Sequence, residues 1–161
     1  MIKLKNRLSL VSSFTLLLLA QCGSVYTMES DSRNFRKGEK LFAKYYEENG
    51  NAFMYSVGTV GYKYIWTITS SEIIMTSIDL KGKTDTLRVK SIGNWTQHSG
   101  VNFEEPNCSM VLDGDVLILK FKNEEGQELE KSLINEIDCL EKSNSPILVS
   151  VLNDMKSLKI K

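Results

Sequence analysis

Between Tyr62 and Ile68 the chain alternates. Tyr62, Tyr64, Trp66 and Ile68 fall on one side of an extended backbone, and Lys63, Ile65 and Thr67 fall on the other, because successive strand Cβ atoms point to opposite faces. One face carries large aromatic and aliphatic groups, and the other is mixed. A strand cannot satisfy its own backbone polar groups, so this stretch commits the chain to a sheet. Ile73 to Leu80 and Thr86 to Ile92 behave in the same way, with Lys81-Gly82-Lys83 as the turn between them.

A second group of strands follows. Asp113-Gly114 separates Ser109–Leu112 from Asp115–Lys122 and has the composition of a two-residue hairpin turn. Pairing Leu112 with Asp115 sets Val111 opposite Val116, Met110 opposite Leu117 and Cys108 opposite Leu119. Leu117, Leu119 and Phe121 then share a face with Cys108 and Met110, and this face is expected to be buried. Asn123-Glu124-Glu125-Gly126 reads as a hairpin loop with its glycine in the left-handed position, leading into a strand from Gln127 to about Ile134.

Helical spacing flanks these strands. Leu41, Phe42, Tyr45 and Tyr46 recur at three and four residues within Phe35 to Glu48, with Gly50 as the stop. Near the other end, Ser145 is placed to cap a helix that Pro146 opens. Ile147, Leu148, Val151, Leu152, Met155 and Leu158 form its apolar stripe, and Lys156, Lys159 and Lys161 lie toward its C-terminus. The expected fold is α+β and β-rich: one antiparallel sheet or small barrel of about six to eight strands, with an N-terminal and a C-terminal helix.

The N-terminus carries an address. Lys3, Lys5 and Arg7 precede the mostly apolar run from Leu8 to Ala20, the pattern of a secretory signal and shorter than the roughly 20 apolar residues a spanning helix needs. Leu19-Ala20-Gln21-Cys22 resembles the lipobox of bacterial lipoprotein precursors, apart from Gln21 where a small residue is usual. The resemblance implies that Cys22 is lipidated and becomes the first residue, and that the protein is anchored in the cell envelope. Cleavage after Ser24, with small residues at Cys22 and Ser24, is the alternative and implies a secreted protein. The division is then a signal peptide over 1–21, a polar tether over 22–34 and one globular domain over 35–161.

Either cut leaves Cys108 and Cys139 as the remaining cysteines, and in an oxidising compartment they are expected to pair. Such a crosslink contributes about 3 to 4 kcal/mol by restricting the unfolded chain. The full chain balances 20 basic against 20 acidic residues, and losing the three leader cations leaves a net charge of −3. No basic patch stands out, and apart from the N-terminus nothing marks a membrane-binding surface. Nucleic acid is therefore not an expected partner, and the membrane is expected to be met through the N-terminal lipid alone.

Little points to catalysis. His98 is the single histidine and has no accompanying nucleophile motif. Asp113-Gly114-Asp115 reads as a turn rather than a calcium loop. A zinc site on His98, Cys108 and Cys139 lacks a fourth ligand. No Cys-x-x-Cys-His follows the run Lys37 to Phe42, so haem is not implied, and no cofactor or metal is expected.

The distinctive side chains are aromatic. Tyr62, Tyr64, Trp66 and Trp95, with Phe53 and Tyr55, are positioned to line a curved sheet. In outline a small antiparallel barrel closed by a helix is similar to lipocalin-like domains, a likeness that implies room for one apolar ligand. The Gly-x-Trp opening of many lipocalins is not matched, since Gly61 lies too far before Trp66.

Three functions follow from different premises. A lipid-anchored, non-enzymatic protein that binds an envelope or secreted partner requires a filled core and an exposed apolar patch. A carrier of a small hydrophobic ligand requires an apolar cavity under the aromatic strand. A secreted hydrolase requires polar groups converging on His98 or on a carboxylate pair. Export itself makes a direct prediction: maleimide applied to folded protein without reductant tags neither Cys108 nor Cys139, and after reduction it tags both. Labelling of both thiols in unreduced, folded protein refutes the crosslink.

Overall fold

The computed structural model describes residues 28–58, 61–91, 115–122, 126–134 and 145–160. Cys22, Trp95, His98, Cys108 and Cys139 lie outside the described residues, as does the segment 109–112.

Helix α1 (Met28–Asn49) leads into a sheet of six strands: β1 (Asn51–Ser56), β2 (Lys63–Ile68), β3 (Glu72–Ile78), β4 (Thr84–Lys90), β5 (Val116–Lys122) and β6 (Glu128–Ile134). Helix α2 (Pro146–Ser157) follows. The order across the sheet is β4-β3-β2-β1-β5-β6, with every neighbouring pair antiparallel. The sheet is open, with β4 and β6 at its edges. Of the two architectures compatible with the sequence, the open sheet forms and the lipocalin-like barrel does not.

One helix covers each face. Tyr45 of α1 packs with Ala52, Met54, Ile65 and Ile78 on the first face. On the second, Ile147, Leu148, Val151, Leu152 and Met155 of α2 pack with Phe53, Tyr55, Trp66, Leu117, Leu119 and Phe121. The shared face of Leu117, Leu119 and Phe121 is buried, as their spacing predicts. The second face of β2 is not mixed in the way its composition implies, because Lys63, Ile65 and Thr67 are also buried. Helix α1 lies over them.

The pairing proposed for Asp113-Gly114 is corrected by the sheet itself. A strand has two edges, and from Val116 to Phe121 both are occupied, by β1 on one side and β6 on the other. Leu117 pairs with Tyr55 and Leu133, which leaves no edge for Met110. Cys108 likewise cannot pair with Leu119, whose neighbours are Phe53 and Lys131. Long-range pairing to β1 outweighs the local turn signal.

Helix α1 begins earlier than its apolar spacing indicates, so residues 28–34 of the expected tether are helical. Tertiary contacts hold these turns. The Lys63 ammonium sits 2.7 Å from Asp31 Oδ1, and the Asn34 amide donates to the carbonyls of Asp79 and Leu80 at 3.1 and 3.3 Å. Lys37 Nζ donates to the Gly82 carbonyl at 2.8 Å. The β3–β4 turn is itself built around Asp79, whose Oδ1 accepts the Lys81 and Lys83 amides, with Gly82 at a φ of 77°.

Helix α2 starts at Pro146, as its sequence signals predict, with Ser145 at the N-cap position in an extended conformation. It does not run on through the final lysines. Lys159 adopts a φ of 56°, its amide returns to the Lys156 carbonyl, and the Ile160 amide returns to the Met155 carbonyl. This is a Schellman stop, and it buries Ile160 against the second core.

The tightest helix-to-sheet contact is at Gly38, where an added Cβ would meet Met54 Sδ at 3.0 Å and Ile65 Cδ1 at 3.6 Å. Gly38→Ala is expected to be near neutral, since the thioether can shift and alanine favours the helix by up to about 1 kcal/mol. Gly38→Leu is expected to lose about 1–3 kcal/mol by overpacking. Urea unfolding of the two variants checks the contrast, and equal stabilities would refute the close approach.

Candidate functional site

The expected aromatic residues divide into two environments, and strand register explains the division. Phe53 of β1 is paired with Trp66 of β2, and their rings stack with centroids 5.4 Å apart. Both are completely buried, so they form part of the core beneath α2. The Trp66 indole N–H finds no hydrogen-bond partner among the described residues.

Tyr55 is paired with Tyr64, with centroids 6.4 Å apart, and Tyr64 stacks in turn on Tyr62 at 6.4 Å. Burial falls along this ladder. Tyr55 is buried, whereas Tyr64 and Tyr62 are half-buried. The ladder therefore presents its Tyr62–Tyr64 end to solvent.

The inner end of the ladder stops at a carboxylate. The Tyr55 hydroxyl donates to Asp115 Oδ2, and Asp115 Oδ1 accepts the Gly58 amide at 3.0 Å. Burial, followed by this bond and the Asp115 charge, pushes the Tyr55 hydroxyl well above its ordinary range. Burial, followed by the neighbouring Tyr62, pushes Tyr64 the same way. At neutral pH both remain phenols, which donate hydrogen bonds and offer flat rings but supply no nucleophile.

A separate polar cluster joins the end of α1 to β5 and β6. The Tyr46 hydroxyl donates to Glu128, Lys120 Nζ reaches Glu128 at 2.6 Å and Glu130 at 3.0 Å, and the same ammonium lies 4.7 Å from the Tyr46 ring centre. Its hydrogen bond from Lys120 and then that from Tyr46 hold the Glu128 carboxyl below its ordinary value. Every charge has a partner. The cluster therefore fastens α1 to the sheet edge, with its exposed charges screened by water and salt.

Tyr62 and Tyr64 are thus brought together, Trp66 is sealed away from them, and Trp95 lies outside the described residues. Asp115, read from sequence as a turn residue, is the functional neighbour that reading misses. It meets Tyr55 across 60 positions of chain through the pairing of β1 with β5, and no local motif carries that information. Among the described residues, no group of three or more His, Cys, Asp or Glu side chains comes together in a form able to hold a metal. Large apolar groups exposed among the described residues are Leu87 and Val149. No family model, curated protein or solved structure matches the chain.

The ladder predicts an alkaline limit on stability. A phenol whose folded pKa lies above the ordinary value of 10 keeps its proton in the folded state after the unfolded chain has lost it. Its contribution is then full below about pH 10 and is lost as pH rises toward the folded value. Denaturant midpoints of the unchanged protein and of Tyr55→Phe measured from pH 8 to about pH 11 are expected to show the steeper fall in the unchanged protein. Parallel curves would refute the shift at Tyr55.

Proposed function

We propose that this chain is an exported, lipid-anchored and non-enzymatic binding protein of the cell envelope. It acts as an accessory to an envelope or secreted protein. Its contact surface includes the half-buried rings of Tyr62 and Tyr64, which combine large contact area with few rotatable bonds. The Tyr55–Asp115 bond stiffens the strand behind them. Export and anchoring rest on the leader over 1–21 and on Cys22.

One observation favours a surface binder over a carrier. The face of the sheet where a carrier would hold an apolar ligand is occupied by Ile147, Leu148, Val151, Leu152 and Met155 of α2, each at most 5 % exposed. Side chains of the chain itself fill the space under Trp66.

Growth with radiolabelled palmitate tests the anchor, and mass spectrometry of protein extracted from its native envelope tests the cargo. Label is expected in the unchanged protein and absent from Cys22→Ala, which should move to the soluble fraction. No apolar small molecule should accompany the protein in stoichiometric amount. An unlabelled chain beginning at Val25 would make it a secreted protein. A stoichiometric lipophilic ligand would make it a carrier.

A further inference from the structure

We propose that the outward face of the first half of α1, together with the β3–β4 turn, is a cationic surface that lies against anionic phospholipid headgroups. Along the sequence the cations look dispersed, and the fold collects them. Arg33, Arg36, Lys37 and Lys40 fall within one third of the helix circumference at 100° per residue, and all four are exposed. They lie to one side of the strip on which Asn34, Gly38 and Tyr45 are buried. The bond from Lys37 to the Gly82 carbonyl brings Lys81 and Lys83, also exposed, alongside this stripe.

None of these six side chains makes an ion pair among the described residues. The nearby Asp79 carboxylate is engaged by the amides of its own turn, and Asp31 is engaged by Lys63. Glu39 and Asp85 are exposed acids at the margins. From Arg33 to Lys40 the helix rises only about 10 Å, comparable to the screening length of about 8 Å at physiological salt, so a plane of negative charge meets these cations together.

A macrodipole favours acids at the N-terminus and bases at the C-terminus, which accounts for Glu29 and Asp31 in the first turn of α1 but not for a last turn that holds Glu47 and Glu48 and no basic residue.

Position selects a bilayer as the occupant. Met28 lies six positions after Cys22, a reach of at most about 20 Å, and α1 then carries Arg33 within about another 8 Å. The contacts of Asp31, Asn34 and Lys37 fix these turns to the sheet, so an anchored chain is held with this surface toward the membrane. A diacylated cysteine is a sufficient anchor by itself, so the basic surface acts to orient the domain on the bilayer. The placement rests on lipidation of Cys22, whereas the charge of the surface does not.

The test uses the full chain carrying Cys22→Ala, with and without Arg33→Glu, Arg36→Glu, Lys37→Glu and Lys40→Glu. Flotation is measured on phosphatidylcholine vesicles with and without phosphatidylglycerol. The leader is common to both proteins, so the difference between them reports the surface. Charge reversal is expected to lower partition onto the anionic vesicles by at least about tenfold, to leave the neutral vesicles unchanged and to have no effect at about 0.5 M salt.

Lys81→Gln with Lys83→Gln, which leaves the helix intact, should give a smaller loss in the same direction. Lys90→Glu with Lys159→Glu should give none. Equal partition of all variants overturns the proposal. So does a loss confined to retention on a soluble polyanion such as polyphosphate. If anionic binding holds while palmitate labelling fails, the surface stands and the anchor falls.

Discussion

Both faces of β1 must be covered at once, and the rest of the fold follows from that requirement. Ala52 and Met54 point to one side and Phe53 and Tyr55 to the other, and all four are at most 1 % exposed. Each large side chain so placed contributes about 1.5–3 kcal/mol of burial, and neither face can be left wet. A hairpin or a two-layer sheet leaves one set exposed. Three layers, with α1 on one side and α2 on the other, satisfy both.

A strand enclosed on all sides must have its polar groups paired by its neighbours. β2 and β5 take the two edges of β1, and Asn51 manages the corner where α1 enters the sheet. Its side-chain amide donates to the Ile68 carbonyl at 2.8 Å, and its Oδ1 accepts the Ile68 amide at 2.8 Å. Under α1 the Tyr45 hydroxyl lies 2.7 Å from Thr76 Oγ1. Lys63 is the severe case. Its side chain is 2 % exposed, and its ammonium lies 2.7 Å from the Asp31 carboxylate, which still touches water. Such a pair fixes geometry more than it adds stability, and here it sets where the first turns of α1 lie on the sheet.

The same placement gives the molecule two unlike surfaces. At one, the cover over the aromatic face thins until Tyr64 and Tyr62 are half exposed, beside a carboxylate that holds Tyr55. At the other, α1 and the β3–β4 turn gather cations that make no ion pair among the described residues. Neither is a catalytic constellation. On the proposed reading one meets a partner and the other a charged plane.

Local spacing was enough to place the helix after Pro146, the strands around Trp66 and Ile74, the turn at Gly82, the left-handed glycine at 126, and the buried face of Leu117, Leu119 and Phe121, because each depends on dihedral preference or on a period of two or 3.6 residues. The stacking of Tyr62 on Tyr64 could be anticipated in the same way, since residues two apart share a strand face. What lay beyond local reading was whatever depends on which strand lies beside which. The Tyr55–Asp115 bond, the occupied edges of β5, the second buried face of β2 and the early start of α1 are all set by contacts between distant segments. A period shows which side chains share a face, but it carries no information about what will cover that face. Only the assembled sheet, with a helix pressed on each side, decides that.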